Sequence, residues 1–429
     1  MNQPSFSQHI PPTDEQLAAR FRPIFDRIAA GAVEREQQRS LPYEEVSWLR
    51  EAGFGALRVP QRYGGLGATL PQFFSLLQEL ATADSNVSHL LRGHFAFLES
   101  RLNQEDEESR EFWFPKVVEG ALIGYAMAER TEVTGTSATI VRAEDEVQGE
   151  KGWLLNGKKY YSTGTIYADW IVASVVDGEE RVSVAFPATL PGVTRLDDWD
   201  GFGQRMTGSG TTLFENVRLS EQHIVRRFSA KPPSSYQKAF LQLILLTSIA
   251  GVGRAVLRDA IAFVQPRTRA FDVLGQSSPR QDPLVQRVVG RIASLSYAAD
   301  SLVQSVARAL EHNWLQAQAG LADDALFVRT EIEAFQAQQV VIDLVLQAST
   351  LLFEVGGASA TSETRRLDRH WRNARTAASH NPAIFRERAI GDYYLNGTVP
   401  DSGWWKDLPG ADANAETNAD QPAIAPAHS

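Results

Sequence analysis

The period of the apolar residues changes twice along the chain, and this double switch limits the fold more than any other feature. Over residues 14–129 apolar side chains recur every three or four positions, as in Leu17, Phe21, Ile24, Phe25 and Ile28, which is the spacing of one helix face. From about residue 131 to 225 the runs become short, β-branched and aromatic, at 153–155, 170–176, 182–186 and 211–217, with turn residues between them. From about 235 to 392 the helical period returns in long segments, 241–264, 284–315 and 326–355. The last of these is apolar on most faces, so it must be buried between other helices or at a subunit interface. The order is α, then β, then α.

Local signals refine this reading. Residues 43–52 form a second helix stopped by Gly53, Pro71 sits where a first-turn proline belongs, and a further helix carries His89, Leu90, His94 and Phe97. Asn156-Gly157 between apolar runs predicts a hairpin turn in a small antiparallel β-domain. Residues 410–429 hold one large aliphatic side chain, Ile424, and are expected to be a disordered tail.

Several chemistries are excluded. There are no cysteines, so disulfides, thiolate catalysis and cysteinyl metal centres are absent. The 42 Lys and Arg against 52 Asp and Glu leave a net charge of −10, which repels nucleic acid and anionic membrane as bulk partners. The longest uncharged apolar tract, residues 239–253, is interrupted by Gln242, Thr247 and Ser248 and reads as a buried helix. No basic region precedes an apolar core near the N-terminus, so a cytoplasmic protein without a signal peptide is expected. The Gly64-Gly65-Leu66-Gly67 run lacks dinucleotide spacing, no P-loop or HExxH occurs, and the eight histidines do not cluster with carboxylates, so no metal site is expected.

Four segments carry candidate chemistry. Residues 160–165, Tyr-Tyr-Ser-Thr-Gly-Thr, read either as a strand end with its hydroxyls satisfied or as a flat aromatic wall beside donors that suits a planar cofactor. Trp199, in the glycine-rich run 197–210, is a candidate pocket wall. Arg267 and Arg269 end a helical segment and either face solvent or clamp a phosphate. The basic run 366–375, followed by His380-Asn381-Pro382, is either a salt-bridged surface helix or part of a site. His94, on an apolar helical stretch, reads by itself as a core histidine.

Taken in order, Tyr63-Gly64-Gly65-Leu66-Gly67, Gly124 to Glu129, Asn156 to Gly164, Gly203 to Val217 and Phe263 to Phe271 resemble the acyl-CoA dehydrogenase superfamily over about residues 15–400. The resemblance implies an α+β, mainly α fold: an N-terminal helical domain (15–130), a middle antiparallel β-domain (131–230) and a C-terminal four-helix bundle (231–400), with the tail at 401–429. The chain departs from the dehydrogenases where chemistry matters. Desaturation needs a carboxylate to take the proton alpha to the thioester. At the family's usual position this chain offers His380-Asn381, and residues 231–257, the alternative position, contain no Asp or Glu.

Asp198-Trp199-Asp200, Gly203-Gln204-Arg205, Asp368 to Thr376, His380-Asn381-Pro382 and Tyr394-Leu395-Asn396 are instead similar to the flavin-dependent monooxygenases of this fold. These are the dibenzothiophene and small organosulfur monooxygenases and the amine N-hydroxylases. The resemblance implies reduced FMN (FAD being possible) supplied by a separate NAD(P)H:flavin reductase, dioxygen, a C4a-(hydro)peroxyflavin, a small organosulfur substrate and a homotetramer. It places His94 and His380 about the peroxide and substrate, with His380 exchanging a proton near neutrality. Tyr125, Met127, Tyr161, Ser162, Thr163 and Trp199 would line the isoalloxazine, and Arg269 would meet the phosphate. Tyr125 stands where the dibenzothiophene enzymes have Asn, and Ala377 where they have His. The competing readings are an FAD-containing acyl-CoA dehydrogenase or oxidase, an amine N-hydroxylase, and a non-catalytic scaffold.

Overall fold

The structure, a computed structural model, describes residues 11–103, 106–130, 137–147, 150–227, 234–268, 278–321 and 324–400. Helix α1 (Asp14–Gln38) starts at a capping box in which the Thr13 hydroxyl accepts from the Gln16 N–H and the Gln16 side chain accepts from the Thr13 N–H. It buries Leu17, Phe21, Phe25 and Ile28, the spaced residues of the sequence pattern. Helix α2 (Tyr43–Glu51) follows, and α3 (Leu70–Ala83) has a second capping box at Thr69 with Pro71 in its first turn.

The single helix expected around His89 to Phe97 is two helices, α4 (Ser85–Leu90) and α5 (Arg92–Leu102), which meet at Leu91. Asp84 caps α4 by accepting from the Asn86 N–H at 3.0 Å and is itself held by the Arg35 guanidinium at 2.9 Å. Helix α6 (Glu107–Val118) completes the first helical layer.

The strands are β1 (Ile123–Ala126), β2 (Thr139–Val147), β3 (Glu150–Lys159), β4 (Trp170–Asp177), β5 (Glu180–Pro187), β6 (Val193–Arg195), β7 (Thr212–Leu219) and β8 (Ile224–Arg227). They form one sheet in the order β6-β7-β3-β2-β4-β5-β8, with β1 paired to β4. The sheet is mixed and not wholly antiparallel as expected, because β1 runs parallel to β4 and β2 touches β4 in parallel at Thr139 and Val176. Alternation within a strand reports which face is buried and carries no information on the direction of the neighbour.

Asn156-Gly157 does not turn the chain. Both residues lie inside β3, where the register against β7 shifts between Leu155 and Gly157. Gly157 has φ of 131°, and a Cβ there would lie 2.6 Å from the Ala138 Cα, so the glycine permits a bulge and a close strand approach.

The C-terminal helices are α7 (Ser235–Val264), α8 (Pro283–Gln318), α9 (Asp324–Leu351), α10 (Asp368–Ala378) and α11 (Ala383–Asn396). Helices α7, α8 and α9 pack on one another, and α10 closes the group against α7 and α9. Helix α7 is long and apolar enough to cross a bilayer, yet 83% of its most apolar window is buried in protein. One apolar core runs through both sets of helices, from Phe21, Phe73 and Phe95 to Phe240, Leu295 and Val341, and the sheet has its own core around Ile140, Leu155, Ile171, Val184 and Phe214. The sheet edge, the α4–α5 joint and the end of α10 meet around His89, Arg92 and His380, the region called the cleft below.

Candidate active site

The joint at Leu91 decides which histidine reaches this cleft. His89, in the last turn of α4, faces His380 just beyond α10, with ring centroids 6.4 Å apart. Arg92 opens α5 and points Nη1 to within 3.3 Å of His380 Nε2. His94 is buried elsewhere: its Nε2 donates to the Gly55 carbonyl at 3.0 Å, and its Nδ1 accepts from the Ile123 N–H at 3.3 Å. With both nitrogens engaged by backbone, His94 is a core histidine that holds the start of β1. The structure thus brings His89, not His94, to His380.

His380 is held by a chain of amides. Gln242, buried on α7, accepts from Asn381 Nδ2 at 2.8 Å, and Asn381 Oδ1 then lies 3.0 Å from His380 Nδ1. An amide oxygen can only accept, so Nδ1 carries the proton and Nε2 presents its lone pair to the Arg92 N–H. Gln338 Nε2 donates to the Asn381 carbonyl at 2.9 Å and fixes the backbone of the same residue.

Both cleft histidines are neutral at physiological pH. Removal from bulk water, followed by the nearby Arg92 charge, lowers the His89 pKa to about 4. His380 is exposed at the surface, and desolvation, then the nearby Arg92 and His89, lower its pKa as well. In its neutral form the His380 imidazole can accept a proton at Nε2. Desolvation lowers Arg92 to about 10, which leaves it charged. Among the described residues, no carboxylate contributes to the fields that shift His89 and Arg92.

The sheet supplies the opposite wall. Tyr125, on β1, is half-buried, and desolvation raises its phenol to about 12. Its backbone N–H reaches the Thr163 carbonyl at 3.4 Å, and a Cβ on Gly93 would lie 2.9 Å from its Cβ and Cγ. Met127, two residues on, is partly buried against the helical core. Tyr161 packs edge-on against Tyr160 at 4.8 Å and Trp199 at 5.9 Å, and the Trp199 indole N–H donates to the Gly203 carbonyl at 3.1 Å. The Thr163 hydroxyl lies 2.8 Å from that of Ser209, which in turn lies 2.7 Å from that of Thr207. Tyr161 thus meets Tyr160 and Trp199 edge to face and not as part of a flat wall, and the Thr163 hydroxyl joins those of Thr207 and Ser209. Arg269 lies outside the described residues.

The run 203–210 is pinned between helices. Gln204 N–H donates to Asn373 Oδ1 at 2.6 Å, and the Met206 N–H donates to Asn86 Oδ1 at 3.2 Å. Gln204 and Tyr161 hold left-handed backbones with φ of 53° and 62°, a strain of about 1–3 kcal/mol each that a scaffold tolerates at functional positions. Gln204 sits beside His89 without the alignment of a hydrogen bond.

Buried polar atoms normally have partners. Here His89 Nδ1 and Nε2, Arg92 Nε, Ser162 Oγ and Gln204 Oε1 have none, and all five come from the segments that form this cleft. Gln78, Gln304, Trp314 and Arg366 carry such atoms away from these segments, so the five show only that a polar ligand would find unpaired donors and acceptors here. No group of three or more metal-ligating side chains occurs among the described residues. Sequence reasoning missed His89, Arg92 and Gln242 as site residues. The available signals were the i, i+3 spacing of His89 and Arg92 and a lone amide inside the apolar tract at 242.

The chain is similar to known proteins over most of its length. Residues 11–121 match the acyl-CoA dehydrogenase N-terminal domain and residues 244–383 the C-terminal domain, together more than half of the chain. The probable FMNH2-dependent monooxygenase SfnC of Pseudomonas putida is 28% identical, over 88% of this chain and 94% of that one. The structure of methanesulfinate monooxygenase MsuC from Pseudomonas fluorescens superposes with a TM-score of 0.80 at 26% identity, covering 90% and 98% of the two chains. FMN-bound TdsC from Paenibacillus sp. A11-2, a dibenzothiophene monooxygenase, gives a TM-score of 0.80 at 25% identity, covering 88% and 96%. The chain belongs to the acyl-CoA dehydrogenase superfamily, within its flavin-dependent monooxygenases.

Proposed function

We propose that this cleft oxygenates a small organosulfur compound with reduced FMN and dioxygen, as the enzyme component of a two-component flavin-dependent monooxygenase. FMN fits the unpaired donors and acceptors of the cleft, and FMN is the flavin of SfnC and of the TdsC complex. Met127, Tyr161, Ser162, Thr163 and Trp199 would hold its ring system, Tyr125 would close the site from β1, and Arg269 would meet the phosphate. When bound, reduced FMN supplies the two electrons for oxygen activation.

The protein's own contribution is to shield and to orient. The aromatic side chains and the half-buried Tyr125 would limit access of bulk water to the reacting atoms once flavin is bound. His380, fixed in one tautomer by Asn381 and Gln242, presents a proton acceptor, and His89 adds a second neutral imidazole. His94 acts through β1 by holding the Ile123 N–H, which makes it a positioning residue.

One observation carries this reading over desaturation: among the described residues, the hydrogen-bond partners of His89, Arg92, His380 and Asn381 include no carboxylate. A carbon acid would meet imidazoles, amides and a guanidinium in place of an ionised acid. The exposed apolar side chains Leu284 and Tyr297 on α8, Val340 on α9, and Phe385 and Leu395 on α11 suit burial in a homotetramer. A separate NAD(P)H:flavin reductase in the cytoplasm would deliver the reduced flavin. The test is to mix the protein with FMN, such a reductase and alkyl sulfides or sulfinates. Oxygenated product that depends on both proteins supports the reading, and stoichiometric, tightly bound FAD with acyl-CoA turnover refutes it.

A further inference from the structure

Arg92 differs from three arginines of the interior that are ion-paired. Arg35 meets Glu45 at 2.5 Å and Asp84 at 2.9 Å, Arg58 meets Glu99 at 3.1 Å, and Arg369 meets Asp259 at 2.5 Å. Each of these buried cations is neutralised where it is removed from water, as electrostatics requires. Arg92 has no ion pair among the described residues. Its Nη1 faces the lone pair of a neutral histidine, and its Nε is shielded from solvent with no partner at all. The groups around it are uncharged: His89 and His380 are neutral, and the Tyr125 phenol is protonated at physiological pH. Arg92 therefore brings an unpaired positive charge beside the two histidines, with Arg101 also acting on Tyr125, and its planar fork matches a pair of anionic oxygens.

We propose that Arg92 is an oxyanion subsite and that the substrate is a small organosulfur anion of the sulfinate class, and not a neutral thioether or thiophene. This rests on the monooxygenase reading above and narrows it. A sulfinate offers two oxygens to the Arg92 fork and keeps a lone pair on sulfur for oxygenation. The balance is R–SO2⁻ + O2 + FMNH2 → R–SO3⁻ + FMN + H2O: one oxygen atom becomes the new S–O bond, and the other leaves as water with both flavin electrons and protons. Neutral His89 and His380 flank the anion without competing for Arg92, as a carboxylate would. Tyr125, packed on Gly93 one residue beyond Arg92, limits the length of R.

The test measures binding and turnover separately. The wild-type protein, with oxidised FMN present, is titrated calorimetrically with methanesulfinate and with dimethyl sulfoxide, a neutral molecule of similar size. Methanesulfinate is expected to bind, more weakly as salt rises, while dimethyl sulfoxide binds at least about tenfold more weakly. In Arg92→Gln the sulfinate affinity is expected to fall about 10–100-fold, with partial rescue in Arg92→Lys, which keeps the charge but not the fork. Equal affinities for the two probes in the wild type, or preference for the neutral one, would overturn the proposal without needing any variant. So would an Arg92→Gln protein that loses FMN affinity while its sulfinate-to-sulfoxide ratio is unchanged, since Arg92 would then serve the flavin. If the wild type turns over a neutral sulfide with reduced FMN but not the sulfinate, this proposal fails and the monooxygenase reading stands. If it binds no FMN, the monooxygenase reading fails as well.

Discussion

Replacing His89 and His94 in turn by Phe separates chemistry from architecture. Phe keeps a flat ring and removes both nitrogens. At His94 the ring is 1% exposed, and two hydrogen bonds to backbone disappear, leaving the Ile123 N–H and the Gly55 carbonyl unpaired in the interior. Leaving a buried backbone group unpaired costs about 1–3 kcal/mol, so with two such groups His94→Phe should lose about 2–6 kcal/mol. That is a large share of a typical total of about 5–15 kcal/mol. At His89 neither ring nitrogen has a partner, so no bond is lost, and the stability of His89→Phe should stay within about 1 kcal/mol of wild type. Urea unfolding followed by circular dichroism measures both, and product formation with reduced FMN is assayed on the same samples. His89→Phe should fold normally and form little product, whereas His94→Phe should be unstable. If His94→Phe keeps wild-type stability and loses product formation, the assignment of roles made here is wrong.

Three further outcomes are expected. His89 and His94 both have folded pKa values of about 4 against an ordinary 6.5. Below about pH 6.5 the unfolded chain takes up protons that the folded one refuses, so stability should fall by about 2 kcal/mol per histidine from pH 7 to 5 and stay flat on their account above pH 7. Urea midpoints measured across this range check it, and His94→Phe should show the smaller slope. Gln242→Leu frees the Asn381 amide to rotate and His380 to change tautomer. Its turnover should drop about 10–100-fold with FMN affinity retained, and an unchanged rate would remove Gln242 from the positioning chain. Gly93→Ala drives a methyl group into the Tyr125 ring, so it should weaken substrate binding in titrations, although alanine is ordinarily the better helix former by about 1 kcal/mol.

Much of the architecture was legible because it rests on local, periodic signals. The spacing of Leu17, Phe21, Phe25 and Ile28 marks α1, and the unbroken apolar character of residues 241–264 marks α7 as a central helix. The parallel pairing of β1 with β4 was not legible, since the partner lies 47 residues away and alternation does not encode direction. Asn156-Gly157 misled because the same dipeptide that suits a turn also suits a bulge, and the choice depends on Ala138 across the sheet.

The site divides in the same way. Tyr161, Ser162, Thr163 and Trp199 could be read as one surface because each lies in a short, compositionally distinct segment. His89 was overlooked because a continuous helix was assumed, and the joint at Leu91 leaves no proline or glycine at its own position to announce it. Asn381 and Gln242 are 139 residues apart, and only the packing of α7 against the end of α10 reveals that they form one chain.

The central claim is that this cleft inserts an oxygen atom, and isotope labelling tests it most directly. The protein, FMN, a flavin reductase and an organosulfur substrate are incubated under dioxygen enriched in the heavy isotope, and the product is weighed by mass spectrometry. The account expects one heavy oxygen atom in each product molecule and none when unlabelled dioxygen and labelled water are used instead. A product lacking the label, or one that has lost two hydrogens and gained no oxygen, would contradict it.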